Sequence, residues 1–144
     1  MKIVFDTSVL VAAIVQSHPL HQPALAWLQK AHRQKAFEFL VCGHSLVELY
    51  AVLTRLPLAP RISPAMAYQL IKHNVVDHAL VVGPKAHDYA HMLDAWQKAG
   101  LRGGICYDAL IHDVAQSCGA DEILTLNSKD FARFSSTVQL RTVA

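Results

Sequence analysis

Residues 102–131 read RGGICYDALIHDVAQSCGADEILTLNSKDF, and this stretch decides the fold. Tyr107, Leu110, Ile111, Val114, Ala115 and Cys118 recur at helical spacing, giving a helix with one apolar face. Gly119 stops that helix, and Glu122 to Leu126 reads as a short strand. Asp108 stands beside the stripe in the first turn, where the helix dipole favours an anion. Asn127 and Asp130 follow the strand. They read either as an N-cap and a first-turn acid of a short helix or as ligands near Asp108. His112, one turn above Asp108, is expected to support that acid or to serve as an exposed or capping side chain. Asp113 reads as surface.

The same strand-to-helix switch recurs upstream. Lys2 to Phe5 is a short β-branched run, and Asp6-Thr7-Ser8 opens a helix through Val9, Leu10, Ala13 and Ile14. Asp6 therefore sits where a strand's carboxyl end meets a helix's amino end, the place where open parallel sheets bind ligands. An N-cap is the plainer role for it. Pro23 opens a packing helix with Ala24, Trp27, Leu28 and Ala31 on one face, and Phe37 to Val41 reads as a second strand. In the next helix Leu46, Leu49, Tyr50 and Leu53 are expected in the core, with Glu48 off that stripe. Ser45-x-x-Glu48 is also a capping-box pattern, so direction separates the readings: a capping Glu48 turns to Ser45, a site Glu48 towards Asp6.

Ser63-Pro64 supplies the N-cap and first residue of a helix running to about Asn74, with Met66, Ala67, Leu70 and Ile71 inward. Asp77 to Val82 is expected as a third strand. Pro84 then opens a helix with Ala86, Tyr89, Ala90, Leu93 and Trp96 inward. His87, His91 and Asp94 have a spacing that zinc accepts, but with Lys98 they form the solvated face of that helix. Thr137 to Val143 adds an edge strand.

Alternating strands and helices imply βαβ units, hence an α/β chain with a central parallel sheet of four to five strands flanked by helices. At 144 residues, 53% of them hydrophobic, the expectation is a single domain over residues 1–144. Thirteen basic against eleven acidic residues leave a formal charge of +2, which permits an RNA partner without requiring one. Cys42, Cys106 and Cys118 lack CxxC spacing and read as reduced thiols. The apolar runs are too short for a membrane span and the amino end does not resemble a signal peptide, so a cytoplasmic protein is expected.

In a parallel sheet, strand carboxyl ends and the following helix amino ends share one edge. Asp6, Glu48, Asp108 and Asn127 can therefore meet in one cleft. Unit charges about 4 Å apart repel by about 4 kcal/mol at an effective dielectric of 20, so such a cluster calls for a cation or a protonated acid. Oxygen ligands without cysteine or a convergent histidine favour Mg2+ or Mn2+ over zinc. Thr7 and Ser8 are placed to hydrogen-bond Asp6 or a water, or to cap. Arg102 and Lys129, beside the motif segments, are candidate phosphate contacts, with ordinary surface charge as the alternative.

The segments IVFDTSVLV, HSLVELYAVL, GICYDALIHDVAQSCGA and ILTLNSKDF resemble, in order and over nearly the whole chain, those of PIN-domain ribonucleases, most closely VapC toxins of bacterial toxin–antitoxin pairs. That resemblance implies a PIN-like fold and a metal-dependent endoribonuclease with Asp6, Glu48 and Asp108 as its acidic core. The implied substrate is structured RNA such as tRNA or rRNA, or mRNA. A homodimer and inhibition by a cognate antitoxin are implied as well. Asn127 departs from the pattern, since many relatives carry a fourth acid there; Asp130 is the candidate replacement, directly or through water. Two other functions compete. An aspartyl-nucleophile phosphatase needs a second acid where Ser8 stands. A catalytically degenerate PIN-like binding module would keep the fold without cutting.

Overall fold

The computed structural model describes residues 1–33, 35–134 and 136–143. Five strands, β1 (Lys2–Phe5), β2 (Glu38–Cys42), β3 (Leu80–Val82), β4 (Glu122–Thr125) and β5 (Gln139–Thr142), form one sheet in the order β3-β2-β1-β4-β5. Every pairing is parallel. Among the described residues seven α-helices flank it: α1 (Thr7–Ile14), α2 (His21–His32), α3 (Gly43–Arg55), α4 (Pro64–Ile71), α5 (Asp88–Lys98), α6 (Ile105–Ser117) and α7 (Ser128–Phe131).

The continuous apolar runs of the inner strands are explained by burial on both faces. Ile3 and Phe5 of β1 point into a core with Phe39, Val41 and Leu124, covered by residues of α1 to α4. Val4, between them, points the other way with Leu40 and Ile123, against Leu110, Ile111, Val114 and Ala115 of α6. Each such fully buried side chain contributes about 1.5–3 kcal/mol. Gly119, at φ 71°, ends α6 in the left-handed conformation that costs glycine least.

Several expectations fail for identifiable reasons. The third strand is shorter, Leu80–Val82, because α4 continues as a π-helical turn over Lys72–Val76 and Asp77 N–H still donates to Lys72 O. The helix after Pro84 begins at Asp88, whose carboxylate accepts Lys85 N–H at 2.8 Å. No α5 residue is buried, and Tyr89 and Leu93 are 47% and 58% exposed. The half-buried Met92 and Trp96 pack on the α6 core instead, with Trp96 Nε1–H donating to Asp113 Oδ2 at 3.0 Å. The packed face is thus the one carrying Met92 and Trp96, not Tyr89 and Leu93, and the bond makes Asp113 a tie between helices rather than mere surface.

Tyr50, Met66 and Tyr107 were also expected inward and are exposed. His112 is buried, its ring 5.1 Å from that of Phe134, so it is neither exposed nor a support for Asp108. The His87, His91, Asp94 face is solvated, with Asp94 paired to Lys98 at 2.8 Å. The three cysteines are free. Among the described residues, no helix is long and apolar enough to cross a membrane.

Candidate active site

The strand order reverses beside β1, with β2 on one side and β4 on the other, so the chain leaves β1 and β4 in opposite directions and opens a crevice between them. A cleft of about 350 Å³ occupies that position, lined by Asp6, Glu48, Asp108 and Asn127 together with His18 and the first turn of α1. Residues from four separate segments thus meet there.

Asp6 is positioned by both strands. Its N–H donates to Leu124 O at 2.9 Å, continuing the β1–β4 ladder by one rung. It occupies the N-cap position of α1, yet its carboxylate makes no capping bond to the helix. Instead Oδ2 accepts two hydroxyls, Ser8 Oγ at 2.7 Å and Thr125 Oγ1 at 2.8 Å. Both hydroxyls in turn accept backbone N–H groups, from Leu126 at 3.1 Å and Asn127 at 2.9 Å. With lone pairs engaged by amides, the hydroxyl protons are directed at Asp6, and among the described residues no such hydroxyl bond holds Oδ1. Burial pushes the Asp6 carboxyl up; the Ser8 and Thr125 hydroxyls and the Thr7 backbone amide oppose that rise, and the Glu48 charge adds to it.

Glu48 does not cap α3. That helix begins at Gly43 with Cys42 as N-cap, which places Ser45 inside its first turn, its Oγ buried without a partner among the described residues. Glu48 Oε1 instead accepts Thr7 Oγ1–H at 2.7 Å, so it turns towards the start of α1. Of the two hydroxyls expected to serve Asp6, only Ser8 does so; Thr7 serves Glu48.

Asp108 is half-buried in the first turn of α6. Its carboxyl is pushed up to about 6, first by burial and then by the charges of Asp6, Asp130 and Glu48. Asp130, exposed on α7, thus reaches the site through its charge and does not line the cleft. Asn127 lines it, and its side chain makes no cap bond to α7. Its backbone amide is what ties it to the Asp6 network. Arg102 and Lys129 are exposed on flanking segments, outside the cleft lining. Gly103, at φ 68°, turns the chain from Arg102 into α6.

Thr125 and His18 belong to the site and were not singled out in the sequence. Thr125 looked like β-branched core filling, and only the sheet register places its hydroxyl against Asp6. His18 sits in a turn whose approach to the cleft depends on how α1 and α2 pack.

Carboxylates and an amide, with no thiol, suit a hard divalent cation; contrary to expectation a histidine, His18, also reaches the cleft, carried there by the turn between α1 and α2. Among the described residues, no three His, Cys, Asp or Glu side chains form a ready-made ligand group. The charges of Asp6, Asp130 and Glu48 nonetheless reach the Asp108 carboxyl and help to push it up.

Fold and site together define a parallel α/β domain with an acidic cleft at the switch point of its sheet. The chain belongs to the PIN domain family, whose model matches residues 3–136. It is 35% identical over 106 residues to ribonuclease VapC27 of Mycobacterium tuberculosis, covering 74% of this chain and 71% of that protein. The VapBC2 complex of Rickettsia felis, bound to a promoter DNA fragment, shares the fold at TM-score 0.70 and 19% identity, over 99% of this chain and 98% of that one. Mycobacterium tuberculosis VapC20, a toxin that cleaves the sarcin–ricin loop, matches at TM-score 0.70 and 17% identity over 95% and 98%. This chain is a VapC-like PIN domain.

Proposed function

We propose that this chain is a Mg2+- or Mn2+-dependent endoribonuclease, the toxin of a toxin–antitoxin pair. The carrying observation is the convergence of Asp6, Glu48 and Asp108, from β1, α3 and α6, on one cleft. Similarity to VapC ribonucleases supports RNA as the substrate.

Asp6, through Oδ1, with Glu48 and Asp108 would hold the ion, and Asn127 would orient water beside it. A divalent ion there would supply charge neutralisation and make a water easier to deprotonate, so that its oxygen could attack phosphorus. Thr7 fixes Glu48, while Ser8 and Thr125 fix Asp6. Asp130 adds negative charge near Asp108 without lining the cleft, and Arg102 and Lys129, exposed on flanking segments, would meet RNA phosphates farther out.

An antitoxin and a second copy of the chain are the expected protein partners. Two apolar surfaces support that reading. One is a groove of about 350 Å³ lined by Leu46, Val47, Tyr50, Tyr68 and Ile71; the other carries the exposed Tyr89 and Leu93 of α5. A non-cutting binding module is the contrasting function, and the intact acids speak against it.

Controlled expression in a bacterial host tests the proposal. The parent should arrest growth, and folded Asp6→Asn should not. Equal arrest by both would overturn it.

A further inference from the structure

His18 lies between α1 and α2 and lines the cleft with the acids. Its ring Nδ1 accepts the Leu20 N–H at 3.0 Å. A nitrogen that accepts an amide proton carries none of its own, so the neutral ring holds its proton on Nε2. The loop thus grips one nitrogen and leaves the other as a donor. His21 contrasts with it, because its Nδ1 is engaged with Ala12 O at 2.9 Å.

Donors are scarce among the lining groups. Thr7 gives its hydroxyl proton to Glu48, and Ser8 gives its own to Asp6. Apart from the Asn127 amide, the remaining lining side chains are the three carboxylates and the apolar Val11, Val52 and Leu126. An anionic backbone entering this cleft meets repulsion from the acids, and a fixed N–H donor offsets part of it.

Resting on the ribonuclease reading above, we infer that His18 is a substrate-binding residue. Its Nε2–H donates to a non-bridging phosphate oxygen of the RNA strand, and the Leu20 amide sets the tautomer that makes this possible.

Two substitutions separate this role from a structural one. His18→Asn keeps an acceptor near the Nδ1 position, so it preserves the turn but lacks the reach. His18→Gln puts an amide N–H near the Nε2 position but gives up the turn acceptor. Binding of a fluorescent single-stranded RNA is measured in EDTA, where cutting does not intervene, alongside Mn2+ affinity and melting temperature. His18→Asn should weaken RNA binding about tenfold or more, the loss expected for one hydrogen bond to a charged group, with melting temperature and Mn2+ affinity unchanged. His18→Gln should bind RNA within a few-fold of the parent despite a lower melting temperature. RNA affinity that follows melting temperature across both variants, or parent-like binding by His18→Asn, would overturn the inference. A parent that binds RNA but cuts none in Mg2+ or Mn2+ overturns the ribonuclease reading instead, and leaves the comparison of His18 variants readable.

Discussion

Thr125 Oγ1 donates to Asp6 Oδ2 at 2.8 Å, joining residues 119 positions apart at the carboxyl ends of two neighbouring strands. Thr125 is fully buried and Asp6 is 3% exposed, so little water competes for the bond. Ser8 donates to the same oxygen, and the two hydroxyls commit one side of the carboxylate to the protein.

Thr125→Val keeps the shape and removes the hydroxyl, leaving the Asn127 amide without its acceptor. The expected result is a stability loss of about 1–2 kcal/mol and Mn2+ affinity lower by about 10-fold to 100-fold, the usual cost of losing a group that orients a ligand. Thr125→Ser should recover most of the affinity. Calorimetric Mn2+ titration together with denaturant melts checks both, and parent-like Mn2+ affinity in Thr125→Val would contradict the role.

Metal-free protein should become more stable as pH falls from 7 to 5. The Asp108 carboxyl titrates near 3.8 when unfolded and is pushed up to about 6 in the fold, so the folded state binds the proton more tightly. The advantage is full below the lower value and is lost as pH rises through the upper one. Asp6, raised by burial, acts with the same sign. In EDTA, Asp108→Asn should flatten this dependence and be about 1 kcal/mol more stable than the parent at pH 7, after discounting for solvent at a half-open site. Thermal melts across pH decide it; an unchanged slope in Asp108→Asn would show that this acid is not strained.

Much of the sheet was legible because each inner strand centres on a short apolar run bounded by polar residues or glycine. Lys2–Phe5 followed by Asp6 lies where that pattern puts it, and β4 ends at Thr125, one residue short of the expected Leu126, with Asn127 just beyond. Glu48 posed a two-way choice between Ser45 and the site, and the sequence could not settle it because both residues lie one turn apart on any helix. Where α3 starts decides it: with Cys42 at the N-cap, Ser45 is already inside the helix.

The misread positions share a cause. Tyr89, Leu93, Tyr50 and Tyr107 have helical apolar spacing, but spacing reports a face and not what covers it. Tyr107 projects at the amino end of α6, where its ring stacks on His44 with centroids 5.1 Å apart. Thr125 and His18 were illegible for the opposite reason: their contributions come from contacts with groups distant in sequence or from loop geometry, which periodicity does not encode.

RNA cleavage by the purified chain, with Mn2+ and with EDTA, beside Asp108→Asn, tests the central claim most directly. The account predicts cutting by the parent in Mn2+, none in EDTA, and a loss of at least about 100-fold in Asp108→Asn, the scale of removing a group that stabilises the transition state. Undiminished cutting in EDTA, or by folded Asp108→Asn in Mn2+, would contradict it.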